Sequence, residues 1–271
     1  MCRRSFETKP FHFNYLYPMK FYTSIADLYD EIFPYKPQQK KFIESFKLHG
    51  LESVLLDVGC GTGSLVLNLT ELFSIVIGLE PDKEMLDKAN FKALQFKFDK
   101  MDQIEDLGKW VFMQKGTNDI REEFVSESCN AVLCLGNTLV HLSGNDEVKV
   151  FLLDALELLK PGGKLMIQII NYDRIIDQKL KGLPTIENDN VKFERFYHYD
   201  ENPKFVNFQT ILTVKESGEK TENEIPLLAI RPAELKKLMT EAGYQDIEEF
   251  GNFKKEEFTA ESQPYIVVGG K

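Results

Sequence analysis

The sequence predicts an α/β fold, a mostly parallel sheet with helices on both faces, and three stretches carry that prediction. Val54-Leu55-Leu56 is an apolar run of the kind buried on both faces of a parallel sheet. It enters glycines at 59, 61 and 63, after which apolar residues resume at helical spacing (Leu65, Leu69, Leu72). Ile75 to Leu79 is a second such strand, closed by Glu80, and Pro81-Asp82 then opens another helix. Asp146 to Lys160 carries Val148, Phe151, Leu152, Ala155, Leu158 and Leu159 at helical intervals; Pro161-Gly162-Gly163 ends it, and Lys164 to Ile170 is again a strand. Strands alternating with helices are the order of a parallel sheet with helical crossovers.

At 271 residues the chain is long enough for one large domain with a full core, or a domain with a sizeable insertion. A formal charge of −10 and the lack of any Lys/Arg-rich run argue against a surface built for nucleic-acid phosphates. No apolar run approaches bilayer length, and the basic N-terminus has no apolar segment behind it, so neither a membrane nor a secretory signal is expected. Cys2, Cys60, Cys129 and Cys134 lack metal-ligand spacing and read as reduced thiols of a cytoplasmic protein, with no metal site. Residues 1–18 are aromatic and irregular and read as an N-terminal extension. A single domain over 19–271 follows, with Met19 as an alternative start.

The glycine turn brings bare backbone and helix N–H groups against a ligand. Its spacing excludes the dinucleotide pattern Gly-x-Gly-x-x-Gly, because Ser64 and Val66 stand where the third glycine would be. Asp57-x-Gly59-x-Gly61-x-Gly63, which includes Cys60, instead resembles the first motif of the class I S-adenosylmethionine (SAM) methyltransferases. That resemblance covers nearly all of residues 20–271. It implies a Rossmann-like, seven-stranded, mostly parallel sheet with SAM as cofactor. Glu80, about twenty residues beyond the glycines, is then the acceptor for both ribose hydroxyls.

Taken in order, Tyr22 to Phe33 reads as an amphipathic helix with Ile25, Leu28, Tyr29 and Ile32 on one stripe. In the resembled family this helix lies over the cofactor and lends it a tyrosine. Tyr22 and Tyr29 are the candidates, Tyr22 being expected at the cofactor and Tyr29 facing the acceptor, with plain aromatic packing as the rival reading. Asp82 caps the helix after Glu80, and Met85, one turn on, is placed either on the adenine face or in the core. Trp110 to Lys115 is the third strand. The family's adenine contacts after it fall on Asp119 with the Ile120 N–H, or on Asn118, Asp119 then being a helix cap.

The fourth strand, Ala131 to Leu135, runs into Gly136-Asn137-Thr138-Leu139-Val140-His141-Leu142. This stretch resembles glycine N-methyltransferase and its small-molecule relatives, as does Asn171-Tyr172-Asp173-Arg174 after the fifth strand. The motif of enzymes that methylate base amino groups is absent. Leu135 and Gly136 are expected at the cofactor. Asn137 and His141 are expected to position the reacting groups, and Thr138, Asn171 and Tyr172 to face the acceptor. One departure stands out. Glycine N-methyltransferase has a carboxylate-gripping arginine just before Asn-Tyr-Asp, and this chain has Ile170; Arg174 and Arg231 are the candidate replacements.

Residues 176–230 read as an antiparallel β insertion forming a lid, with strands at Val191–Asp200 and Lys204–Val214 about an Asp200–Pro203 turn, and another near Glu224–Ile230. Glu234–Ala242 is a helix, and Gln245–Phe253 and Pro264–Gly269 are the last strands. The expectation is a monomeric or homodimeric enzyme that moves a methyl group from SAM to a small-molecule amine. A protein methyltransferase and a non-catalytic SAM-binding module are the alternatives.

Overall fold

The computed structural model describes residues 16–199 and 204–271. The chain opens with α1 (Leu16–Ile25), a 3₁₀ turn at Ala26–Leu28, α2 (Tyr29–Ile32) and α3 (Pro37–Glu44), followed by β1 (Gly50–Val58), α4 (Ser64–Leu69), β2 (Phe73–Leu79) and α5 (Lys83–Asp99). Next come β3 (Lys109–Met113), α6 (Ile120–Glu123), β4 (Cys129–Cys134), α7 (Asn145–Leu158), β5 (Leu159–Ile170) and α8 (Tyr172–Asp177). Four strands, β6 (Gly182–Glu187), β7 (Val191–His198), β8 (Phe205–Val214) and β9 (Lys220–Leu228), precede α9 (Pro232–Ala242), β10 (Gln245–Phe250) and β11 (Pro264–Gly270).

The main sheet has seven strands in the order β10-β11-β5-β4-β1-β2-β3. Neighbours from β5 to β3 are parallel, and β11 is antiparallel to both β5 and β10. Alternation along each strand feeds two cores. Leu56, Val58, Val132 and Cys134 point to the face covered by α7 and α9, while Leu55, Val76, Ala131 and Leu133 meet Phe42, Ile43, Val66 and Leu69 of α3 and α4. Strand order reverses between β1 and β4, and the crevice beyond their carboxyl ends is where an open α/β sheet binds ligands.

Several element boundaries differ from the sequence reading. The helix expected over 22–33 is divided by the turn at Ala26–Leu28, although its stripe is as read: Ile25 and Ile32 are buried, and Leu28 and Tyr29 are partly so. Helix α7 stops at Leu158 because Pro161 disfavours helical backbone at Lys160, and Leu159 already pairs with Cys129. Gly251 ends β10 three residues early by bonding back to Glu256 (2.8 Å).

The insertion forms its own four-stranded sheet, order β6-β7-β8-β9. Strand β6 was not foreseen, since Pro184 argues against a strand; it is tolerated because β6 is an edge, with its register broken between Leu183 and Ile186. The expected Asp200–Pro203 turn and residues 1–15 of the N-terminal extension lie outside the described residues. Asn188 and Asn190 bond to Glu31, and Asn223 to Ser24, tying this sheet to the N-terminal helices. Among the described residues no helix is long and apolar enough to cross a membrane.

Candidate active site

The glycine turn owes its shape to three left-handed residues, with φ of +77° at Gly59, +58° at Gly61 and +75° at Gly63. The backbone N–H groups of Gly59 and Cys60 both donate to the Leu79 carbonyl (2.8 and 2.9 Å), clamping the turn to the end of β2. A Cβ on Gly59 would lie 2.4 Å from the Thr138 side chain, and one on Gly63 would lie 2.5 Å from the Phe112 ring. Only a bare backbone lets these elements approach so closely.

Glu80 sits in this turn. Its Oε2 accepts from Gly61 N–H (2.9 Å) and its Oε1 from Asp82 N–H (3.0 Å). Asp82 in turn caps α5, Oδ1 accepting from Met85 N–H (2.9 Å), and its Oδ2 accepts from the Thr23 hydroxyl (2.7 Å). Glu80 and Asp57 are both buried. Burial raises the Glu80 pKa to about 7, against the pull of its two N–H donors; burial and then the Glu80 charge raise Asp57 to about 7.

The second wall comes from the end of β4. Asn137 takes left-handed backbone (φ +71°), which asparagine tolerates, and its Oδ1 accepts from Ile170 N–H (3.0 Å). Gly136 N–H donates to Gln168 Oε1 (2.9 Å), so β4 and β5 are stitched together where they end. A 3₁₀ turn, Thr138–His141, then carries His141 to the Tyr22 hydroxyl, 2.8 Å from its Nε2. His141 Nδ1 is buried without a partner. Burial lowers the His141 pKa to about 4 and lifts that of Tyr22, so the pair is a neutral imidazole against a neutral phenol at pH 7.

Two cavities meet at these walls. The smaller, about 100 Å³, is lined by Tyr22, Tyr29, Gly59, Gly61, Glu80, Asp82, Met85, Gly116, Thr117, Thr138 and His141, among others. The larger, about 770 Å³, runs from Asp57, Cys60 and Asn137 past Ile170 to the inner face of the insertion. Tyr22, Tyr29, Gly59, Leu135, Gly136 and His141 belong to both.

Most residues singled out from the sequence therefore converge, but eight line neither cavity, Gly63 among them, held against the Phe112 ring. Asp119 accepts from Gly116 N–H (2.7 Å) as a cap, Ile120 is wholly buried in the core, and Asn118 is exposed. Gly116 and Thr117 take the wall position instead, a place the loop's curvature decides. Asn171 is fully buried, capping α8 and holding the Ala260 and Ser262 carbonyls. Arg231 is committed to Asp173 and Asp177 at 2.7 and 2.8 Å. Arg174 and Tyr172 also lie outside both linings, Arg174 with a buried, unpartnered Nε and Tyr172 with its hydroxyl on the Asn137 side chain. Arg195, which the sequence reading passed over, lines the larger cavity. Its only sequence signal is its place between Phe193 and Tyr197 on one face of an alternating strand.

A family model described as a methyltransferase domain matches residues 55–163. The glycine/sarcosine N-methyltransferase of Aphanothece halophytica is 30% identical over 234 residues, spanning 85% of this chain and 80% of that protein. The chain belongs to the class I SAM-dependent methyltransferases. This methyltransferase is also 27% identical over 252 residues to the glycine/sarcosine N-methyltransferase of Parasynechococcus marenigrum (strain WH8102), spanning 89% of this chain and 81% of that one. Among solved structures, the CcbJ methyltransferase from Streptomyces caelestis matches it with a TM-score of 0.74 at 25% identity, over 91% of this chain and 95% of that one.

The residues present fit SAM. Each Glu80 oxygen has a lone pair left after its backbone bond, the glycines keep the turn open, and Met85 and Thr117 both line the smaller cavity. Bound SAM supplies a methyl carbon already activated by a sulfonium. Because burial raises the Glu80 and Asp57 pKa values to about 7, a cationic ligand that needs them ionised competes with protons. Lowering the pH from about 8 to about 6 is therefore expected to weaken SAM binding, by roughly tenfold per unit below pH 7 for each proton displaced. Calorimetry in buffers of different ionisation enthalpy would show that proton release; a flat pH profile would contradict it.

Proposed function

We propose that this enzyme transfers the SAM methyl group to the nitrogen of a small-molecule amine larger than glycine. The observation that carries this reading is the junction of the two cavities at Tyr22 and His141. A cofactor in one meets an acceptor in the other there. The amine class rests on the glycine/sarcosine N-methyltransferases above, and the larger size on Ile170 and the roomy second cavity. In this reading Glu80, Asp82, Met85, Tyr29 and the glycine turn hold the cofactor. Asn137 fixes the β5 end, and Tyr22 with His141 shapes the methyl-transfer point. The net charge of −10 favours a small molecule over nucleic acid, and the unpaired Cys60, Cys129 and Cys134 suit the cytoplasm.

The chemistry asked of the protein is modest. A neutral amine must be held in line within about 3–3.5 Å of the methyl carbon, with water kept out. Neutral His141 and Tyr22 offer a hydrogen-bonding site for the nitrogen's departing proton without a fixed charge to attract an ammonium ion. Tyr22→Phe is expected to cut kcat about 3- to 10-fold, the worth of one hydrogen bond, while SAM affinity stays within about threefold. The reading as a whole is tested by product formation from SAM across a panel of amines. Glycine turned over as well as larger amines would refute the size claim, and SAM binding without turnover of any amine would favour a regulatory module. The N-terminal extension is tested separately: a chain starting at Met19 is expected to keep its Tm and SAM affinity, because the site begins at Phe21.

A further inference from the structure

The inner face of the insertion holds a guanidinium that no carboxylate among the described residues neutralises. Phe193, Arg195 and Tyr197 alternate inward along β7, opposite Leu212, Thr210 and Phe208 of β8. Phe193, Tyr197, Leu212 and Thr210 are all buried, so Arg195 sits in an apolar setting. One of its terminal nitrogens donates to the Pro184 carbonyl, and its buried Nε has no partner. Among the described residues no carboxylate pairs with it: neighbouring Glu194 is on the alternate position with Lys192 (2.8 Å), and Asp30, also on the cavity wall, is held by Lys92 (2.5 Å). Burial pulls the Arg195 pKa down, opposed only by the neighbouring Tyr197. Beside it the Tyr197 hydroxyl and Thr210 Oγ1 are likewise buried and unpartnered.

A half-buried guanidinium with a buried, unmatched Nε beside unmatched hydroxyls is a costly arrangement for a protein to keep. A ligand oxyanion would match it, since a guanidinium meets a carboxylate or phosphate through two parallel charge-assisted bonds. Arg195 faces the larger cavity, and the other basic residues on that wall, Lys36 and Lys254, are exposed. Arg231 is unavailable, being paired with Asp173 and Asp177.

We infer that Arg195 anchors an oxyanion of the acceptor, so that the substrate is an amine carrying a carboxylate or phosphate held by the insertion rather than by the end of β5. This rests on the amine reading above and adds to it the acceptor's second functional group.

The test compares matched acceptors on the full chain: β-alanine and γ-aminobutyrate against their amides, and phosphoethanolamine against ethanolamine. The native enzyme is expected to favour one anionic series by at least about tenfold in kcat/KM, mainly through KM, and the favoured series separates carboxylate from phosphate. Arg195→Gln should erase that preference with unchanged SAM affinity, and Arg195→Lys should retain part of it. If Arg195→Gln does not fold, Arg195→Lys alone decides, by a raised KM for anionic acceptors only. Equal use of charged and uncharged amines by the native enzyme, or a preference that survives both substitutions, would overturn the inference. Calorimetry of butyrate and of inorganic phosphate with the S-adenosylhomocysteine-loaded enzyme separates the two proposals. Anion binding that depends on Arg195 in an enzyme that methylates no amine leaves this inference standing and removes the amine reading. Amine turnover without such binding does the reverse.

Discussion

Replacing Gly59 with alanine is expected to weaken SAM binding by at least about a hundredfold, or about 3 kcal/mol. Two effects act at once. The residue must hold φ at +77°, a strain of about 1–3 kcal/mol for a residue with a side chain, and its Cβ would lie 2.4 Å from Thr138. Thr138 does not swing away freely, because its hydroxyl donates to the Leu135 carbonyl (2.8 Å). Relief has to come from separating the ends of β1 and β4, and that displaces the turn carrying Asn137 and His141. Cooperative thermal unfolding should persist, since the clash is confined to the strand ends. Unchanged SAM affinity in a folded Gly59→Ala protein would show that this junction does not form the cofactor site.

Glu80→Ala is expected to weaken SAM binding by about 1–3 kcal/mol, about fivefold to more than a hundredfold. The substitution removes the acceptor proposed for the ribose and leaves the Gly61 and Asp82 N–H groups without their bonds of 2.9 and 3.0 Å. Glu80→Gln, which keeps one acceptor oxygen, should fall between the two. Calorimetry giving equal affinities for all three proteins would remove Glu80 from the site.

What the sequence made legible follows the range of the interactions. Asp57 to Gly63, Glu80 and Asp82 lie within one strand-turn-helix unit and its neighbour, so their spacing alone implies their meeting. The parallel sheet was legible for the same reason, since each strand announces itself by composition and by the helix that follows. His141 was legible as a residue near the end of β4, but its partner Tyr22, 119 residues away, is fixed only by how α1 packs across the sheet. Arg231 illustrates the converse. Its position beside the insertion suggested an inward reach, yet Asp173 and Asp177 on α8 hold it by two ion pairs that no local pattern reveals. Asp119 and Thr117 are two residues apart in a tight turn, and which of them meets the cavity depends on the direction of that turn rather than on residue type. Strand β6 was hidden because proline has no N–H for a ladder, and only the edge position makes it possible.

The insertion meets the N-terminal helices largely through side-chain contacts, Asn188 and Asn190 on Glu31, Asn223 on Ser24, and Phe193 against Phe33. It forms a sheet of its own, with no strand shared with the main one. The insertion's share of the larger cavity's wall is therefore encoded by one contiguous stretch of chain, while the glycine turn and Glu80 are encoded elsewhere. Evolution can rewrite the first without disturbing the second, and a protein engineer can do the same. Exchanging residues 182–228 between relatives is a route to new acceptors on an inherited cofactor platform.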